Sequence, residues 1–255
     1  MPSFRLLVPA LFALALCSAP PAASAQSFSD VQRGDIETIV RNYLLAHPEV
    51  LEEAMTELSK RQAAAETEKH EASVARNAET IVNSPRGVVL GNKEGDVTFV
   101  EFFDYNCGYC KRAMTDMLDL MKSDPKLKVV LKEFPVLGPG SVEAAQVAVA
   151  ARMQDPTGKK YLDFHQKLLN GRGQADKARA LAAAKEAGLD MAKLEKDLAS
   201  PEVRATLEEN FKLAEDMGMN GTPSYVIGKQ VVIGAVGVDN LKEKIGIARC
   251  GKAVC

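Results

Sequence analysis

Val97-Thr98-Phe99-Val100-Glu101-Phe102-Phe103-Asp104-Tyr105-Asn106-Cys107-Gly108-Tyr109-Cys110 carries more structural information than any other stretch of this chain. Residues 97–103 are nearly all apolar and β-prone, the pattern of a strand covered on both faces. They feed two cysteines at C-x-x-C spacing. A strand followed by a helix that opens on C-x-x-C is a thiol–disulfide redox signature. The unpaired N–H groups and the positive dipole end of the helix favour a thiolate at Cys107. Cys110, one turn on, is placed to close an internal disulfide and release a substrate held as a mixed disulfide.

Working outward, residues 107–122 read as that helix and 129–134 as the next strand, stopped by Pro135. This βαβ order implies a parallel strand pair. Residues 88–90 read as a short strand ahead of it. Residues 142–217 carry helical apolar spacing at 144–153, 161–169, 175–187 and 202–217, separated by turn signals such as Gly171-Arg172-Gly173 and Ser200-Pro201. Strands resume at 224–227 and 231–233, and a last helix spans 238–248. The expected fold is therefore α/β, with a β-α-β half and a β-β-α half separated by a helical insertion at about 141–217.

Upstream, residues 30–83 read as helical, interrupted at Pro48, which suits the start of a second helix. Ile36, Val40, Tyr43 and Leu44 share one face, and Val50, Leu51, Met55 and Leu58 continue an apolar stripe. Beyond Lys60 alanine and charge dominate, which favours helix but offers little to bury. The stripe is expected to be an oligomerisation element carried on a polar stalk, against the plainer reading of an arm packed on its own domain. Ser84-Pro85-Arg86-Gly87 marks a boundary, giving an arm and stalk at 26–83 and a catalytic domain at 84–255.

Arg5, the apolar run 6–17 and Ala23-Ser24-Ala25 read as a secretory signal over residues 1–25. Leu16 fits poorly before a lipidated cysteine, which disfavours a lipoprotein built on Cys17. Of the five cysteines, Cys107, Cys110, Cys250 and Cys255 remain after cleavage. An even number in an oxidising compartment suggests two disulfides, and the style of the signal suggests a periplasm. The net charge of −2 and the lack of a basic run give no sign of nucleic-acid binding.

The order of elements resembles the thioredoxin fold with an inserted helical domain, as in the DsbA superfamily of bacterial disulfide oxidoreductases, over about residues 88–248. The resemblance makes Cys107 the exposed nucleophile and Cys110 the resolving thiol. It makes Pro223, in Gly221-Thr222-Pro223, a cis-proline beside the dithiol, and Thr222 the residue that binds the substrate backbone. It makes Glu101, six residues before Cys107, a buried acid that helps move the proton of the resolving cysteine. Gly108-Tyr109 between the cysteines, with Thr222 before the proline, is similar to the DsbC-type isomerases. The segment Ile39-Val40-Arg41-Asn42-Tyr43-Leu44-Leu45-Ala46-His47-Pro48-Glu49-Val50-Leu51 resembles the trimeric ScsC-like members, which usually have proline in place of Gly108.

The residues also allow other readings. A C-x-x-C can be half of a zinc site, with Cys250 and Cys255 as the other half. Glu101 is either a buried, costly acid or a sheet-edge glutamate that reaches water. Lys132 either pairs with Glu101 or faces solvent. Cys250 and Cys255 form a structural disulfide or, against the lack of strand–helix context, a second redox pair. Tyr105 and Tyr109 offer flat contact to unfolded clients, or Tyr105 packs on the sheet. His47, His70 and His165 are too scattered for a catalytic His–Cys pair.

Tyr109 carries no charge, so the thiol should be less extreme than one flanked by histidine. The leading expectation is a periplasmic disulfide isomerase or reductase with no cofactor beyond its dithiol and no metal. Its partners would be unfolded or misoxidised exported proteins, a membrane redox partner and further copies of itself, as a trimer rather than a dimer. The alternatives are a DsbA-type dithiol oxidase and, in another class, a copper-binding or holdase module.

Overall fold

The computed structural model describes residues 28–255. The expected signal at 1–25, its cleavage site and Cys17 lie outside them. The chain divides into two compact units between Leu58 and Ser59.

In the first unit, helix α1 (Asp30–Ala46) starts in a capping box. The Ser29 hydroxyl accepts from the Gln32 N–H, and the Gln32 side chain accepts from the Ser29 N–H. It stops before Pro48, and α2 (Glu49–Asn83) follows. No residue of α1 is buried, and Ile36, Ile39, Val40, Tyr43, Leu51, Met55 and Leu58 are all exposed.

The second unit begins inside α2, upstream of the boundary read at 83/84. Val74 and Ile81, on the last turns of α2, are buried against one face of the sheet, so this end of the helix packs with the domain that follows. The remaining elements are β1 (Val88–Gly91), β2 (Val97–Phe103), α3 (Gly108–Ser123), β3 (Leu127–Glu133), α4 (Pro139–Arg152), α5 (Lys159–Asn170), α6 (Lys177–Glu186), α7 (Met191–Leu198), α8 (Pro201–Asp216), β4 (Ser224–Ile227), β5 (Gln230–Ile233) and α9 (Val238–Cys250).

The sheet order is β1-β3-β2-β4-β5, with β2 and β3 parallel and every other pair antiparallel. This is a thioredoxin-like fold with the helices α4 to α8 inserted between β3 and β4. Central strand β2 is covered on both sides. Phe99 and Phe103 join a cluster with Met117 of α3, Leu131 and Tyr225. Val100 and Phe102 join the other face with Val130, Val226, Leu213 and Ile81. Gly228, at φ 60, turns β4 into β5, a conformation that favours glycine.

Register settles the two open readings on this sheet. Glu101 aligns with Leu131 of β3 and Tyr225 of β4. It is therefore an inner-strand residue, 3% exposed, and not an edge glutamate in contact with water. Lys132 aligns with Phe102 and points to the opposite face. It is 0% exposed and lies 3.4 Å from Glu209 of α8, so it neither meets Glu101 nor faces solvent. Arg86 donates to the same Glu209 at 2.9 Å and to Glu202 at 3.2 Å, tying the α2–β1 link to α8.

Candidate active site

Helix α3 begins on Cys107, whose extended backbone lets its sulfur cap the helix. The Cys110 N–H donates to Cys107 Sγ at 3.3 Å. Across from it, the Thr222–Pro223 bond is cis. The Cys107 thiol donates to the carbonyl oxygen of Thr222 at 3.2 Å. The structure thus brings Cys107, Cys110, Thr222 and Pro223 together from points more than 100 residues apart. Cys107 is more covered than expected of an exposed nucleophile, at 6%, because Thr222 lies against its sulfur. Cys110 is 0% exposed, and Tyr109 stands out at 59% with the Arg112 guanidinium 4.9 Å from its ring centre.

The two thiols are driven apart in acidity. Cys107 is held down to about 6, first by the hydrogen bond from the Cys110 thiol, then by the Thr222 side chain and the N–H groups of Cys110 and Tyr109, against the opposing effect of burial. Cys110 is pushed far above an ordinary thiol, first by burial, then by its hydrogen bond to Cys107 and the nearby charge of Glu101. One sulfur is ready as a thiolate near neutral pH, and the other keeps its proton until something removes it.

Glu101 leaves β2 on the face that packs against α3. Its Oε2 is buried with no hydrogen-bond partner. Burial, followed by the charges of Asp116 and Cys107, raises its pKa to about 8. A carboxyl in this state holds a proton at neutral pH and is able to exchange it.

Asp104 was not singled out from sequence. The Asp104 carboxylate accepts from the N–H groups of Asn106 at 2.8 Å and Leu137 at 2.9 Å. The first of these bonds is an Asx turn, a signal that is legible in a sequence. Tyr105 packs inward rather than offering a contact surface. Its ring lies edge-on to Phe103, and its hydroxyl meets His165 Nδ1 at 3.2 Å and the Tyr161 hydroxyl at 3.3 Å. Tyr161 in turn donates to buried Glu133. Burial lowers His165 to about 3, so the ring is neutral. Cys250 and Cys255 are joined at the end of α9, with Cα atoms 6.1 Å apart. They therefore supply no thiolates to a zinc site with Cys107 and Cys110. Among the described residues there is no group of three or more His, Cys, Asp or Glu placed to hold a metal ion.

A dithiol at the head of a helix, facing a cis-proline on a sheet of this order, defines a thioredoxin-fold thiol–disulfide oxidoreductase. Residues 98–246 match the family of DSBA-like thioredoxin domains, and the chain belongs to that family. Residues 32–65 match the N-terminal domain of copper resistance protein ScsC. A thioredoxin-like oxidoreductase from Silicibacter pomeroyi DSS-3 is 44% identical, over 67% of this chain and 96% of that one, with a TM-score of 0.63. A linker-deletion mutant of Proteus mirabilis ScsC is 27% identical, over 88% of this chain and 98% of that one, with a TM-score of 0.65. Disulfide bond formation protein D of Bacillus subtilis is 29% identical, over 62% of this chain and 74% of that one. The chain also matches Na+/H+ antiporters, at 26% identity to NhaA 1 of Salinispora arenicola, but spans only 26% of that protein's length. Among the described residues no helix is long and apolar enough to cross a membrane.

Proposed function

We propose that this protein is a periplasmic, oligomeric disulfide isomerase and reductase of exported proteins. The thiol–disulfide chemistry rests on one observation above all, the pairing of Cys107 and Cys110 at the head of α3 beside the cis Thr222–Pro223 bond, with Cys107 capping the helix and Cys110 buried beneath it. The Cys107 thiolate attacks a substrate disulfide. A Cys107–substrate bond forms, and the departing substrate sulfur leaves with the electron pair as a thiolate. If another substrate thiolate then attacks the mixed disulfide, Cys107 is regenerated and the substrate is shuffled with no net electron transfer. If Cys110 attacks instead, its proton passing to the ionised fraction of Glu101, the substrate leaves reduced and the enzyme holds a Cys107–Cys110 disulfide. A membrane-linked dithiol donor must then return two electrons.

The arm supports the isomerase reading. Ile39, Leu51 and Met55 are each at least half exposed on helices that bury nothing of their own in this stretch. Such a stripe suits self-association, and the resemblance of residues 39–51 to the trimeric ScsC-like members favours a trimer over a dimer. Several dithiols on one assembly would engage a misoxidised client at many points. The test is reactivation of scrambled, oxidised ribonuclease by the reduced protein, with and without residues 1–58, beside sedimentation of both forms. Recovery that depends on an oligomeric arm supports the proposal. A monomer that only oxidises reduced ribonuclease favours the second reading, a DsbA-type oxidase, for which the low Cys107 pKa is the supporting observation.

A further inference from the structure

The loop between β2 and α3 ends at Asn106, one peptide bond before the nucleophile. Its side-chain amide makes three hydrogen bonds, and all of them reach into the helical insertion. Oδ1 accepts from the Ala175 N–H at 2.7 Å, and Nδ2 donates to the Ala175 carbonyl at 2.9 Å and to Ser141 Oγ at 2.9 Å. The pair with Ala175 closes a two-bond ring of the kind a neighbouring strand would make. The remaining N–H is spent on Ser141, so both amide protons are used. Ser141 and Ala175 are buried at 1% and 3% exposure, and Asn106 is partly buried against them.

The partners are 35 and 69 residues away, in the first turn of α4 and just before α6. These bonds cross the seam between loop and insertion and belong to the interior of neither. On the other side of the same peptide bond, the Cys107 N–H is fixed on the Asp104 carbonyl at 3.1 Å, and its sulfur meets Thr222 and the Cys110 N–H. No side chain of another chemistry replaces this amide. Aspartate keeps the acceptor but loses both donors and adds a charge beside the thiolate. Alanine loses all three bonds.

We propose that Asn106 is a positioning residue for disulfide exchange: it pins the nucleophile loop to Ala175 and Ser141 of the helical insertion and so holds the Cys107 sulfur between Thr222 and the Cys110 N–H. The inference rests on the reading of Cys107 as the attacking sulfur. The insertion then acts as a clamp on the dithiol loop as well as a cover for the sheet.

The experiment compares the reduced full chain with Asn106→Asp, Asn106→Ala and Ser141→Ala. It reads the pH profile of Cys107 alkylation and the equilibrium with glutathione, neither of which a purely structural role would move. Asn106→Asp should raise the pH at which Cys107 reacts and shift the equilibrium toward the Cys107–Cys110 disulfide by about tenfold, because a destabilised thiolate makes a weaker oxidant. Asn106→Ala should move both in the same direction by less. Ser141→Ala, which keeps the Ala175 pair, should move them by about twofold. Profiles and equilibria that match wild type in the folded Asn106 variants overturn the proposal, whatever happens to their melting temperatures. If both Asn106 variants fail to fold, a shifted Ser141→Ala supports positioning and an unshifted one assigns Asn106 to folding and overturns it. A wild-type protein that forms no Cys107–Cys110 disulfide with oxidised glutathione would end the exchange reading itself, an outcome distinct from an unmoved Asn106 profile.

Discussion

Glu101 and Lys132 leave neighbouring strands on opposite faces of the sheet, because the β2–β3 register sets Glu101 against Leu131 and Phe102 against Lys132. Lys132 therefore does not neutralise the acid beneath the dithiol, and burial raises its pKa from 4.5 to about 8. An acid with a raised folded pKa binds its proton more tightly in the folded state, so it costs stability as pH climbs from about 4.5 to about 8. Glu101→Gln should remove that slope, which chemical denaturation of the reduced protein at pH 5 and pH 8 would measure. The same change should slow release of a mixed disulfide by Cys110 about a hundredfold, with the inflection near pH 8 lost from its pH profile. Unchanged release would remove Glu101 from the mechanism.

The Cys107 thiol owes its low pKa first to the hydrogen bond from Cys110. Its alkylation should rise through about pH 6, leaving roughly nine-tenths of the sulfur as thiolate at pH 7. Cys110→Ala removes the leading cause, so the profile should move to higher pH. The sign for stability is the reverse of that at Glu101. A depressed pKa stabilises the reduced fold at high pH, and this advantage should fade as pH drops through 6. Iodoacetamide kinetics and denaturation of the reduced form check the two halves separately.

Much of this site was legible in the sequence because its chemistry is local. The apolar run 97–103 and the C-x-x-C at the head of a helix announce themselves within a few residues, whereas Gly221-Thr222-Pro223 alone reads as any turn and gains its role only through the resemblance. What was hidden depends on register and long-range contact. Lys132 had two plausible fates until its alignment with Phe102 turned it toward Glu209. The amide of Asn106 has no local signature, since its partners are Ser141 and Ala175. Helix α7 escaped notice because two turns with Leu194 as the one fully buried apolar residue give too few positions for a period to show. The end of α2 reads as part of a polar stalk, because Val74, Ile81 and Val82 are too few among small and polar neighbours to mark a buried face until the sheet covers them.

The cluster around Glu209 is expected to respond asymmetrically. Glu209 accepts from Arg86 and Ser84 as well as lying near Lys132, and these partners hold its carboxyl below the ordinary range despite burial. Lys132→Met removes a buried charge and leaves Glu209 with two partners, so the change should stay within about 1 kcal/mol. Glu209→Leu strands the fully buried Lys132 and leaves Arg86 with Glu202 alone, and should cost about 3–5 kcal/mol. Urea midpoints of the two variants test this, and equal losses would show that the cluster does not work as an ion network.

The Cys250–Cys255 disulfide closes a short loop at the end of α9, where Gly251 caps the helix and Cys255 Sγ lies 3.3 Å from the Gly246 carbonyl. A loop this small constrains the unfolded chain little, so replacing both cysteines with serine should cost about 2 kcal/mol or less. It is separated in the chain from Thr222 and the C-x-x-C motif, and its sulfurs meet the carbonyls of Lys252 and Gly246. The double variant should therefore keep the wild-type glutathione equilibrium of Cys107 and Cys110 while melting slightly earlier. A changed equilibrium would mean that the second pair exchanges with the first, and the disulfide would have to be counted as part of the redox centre.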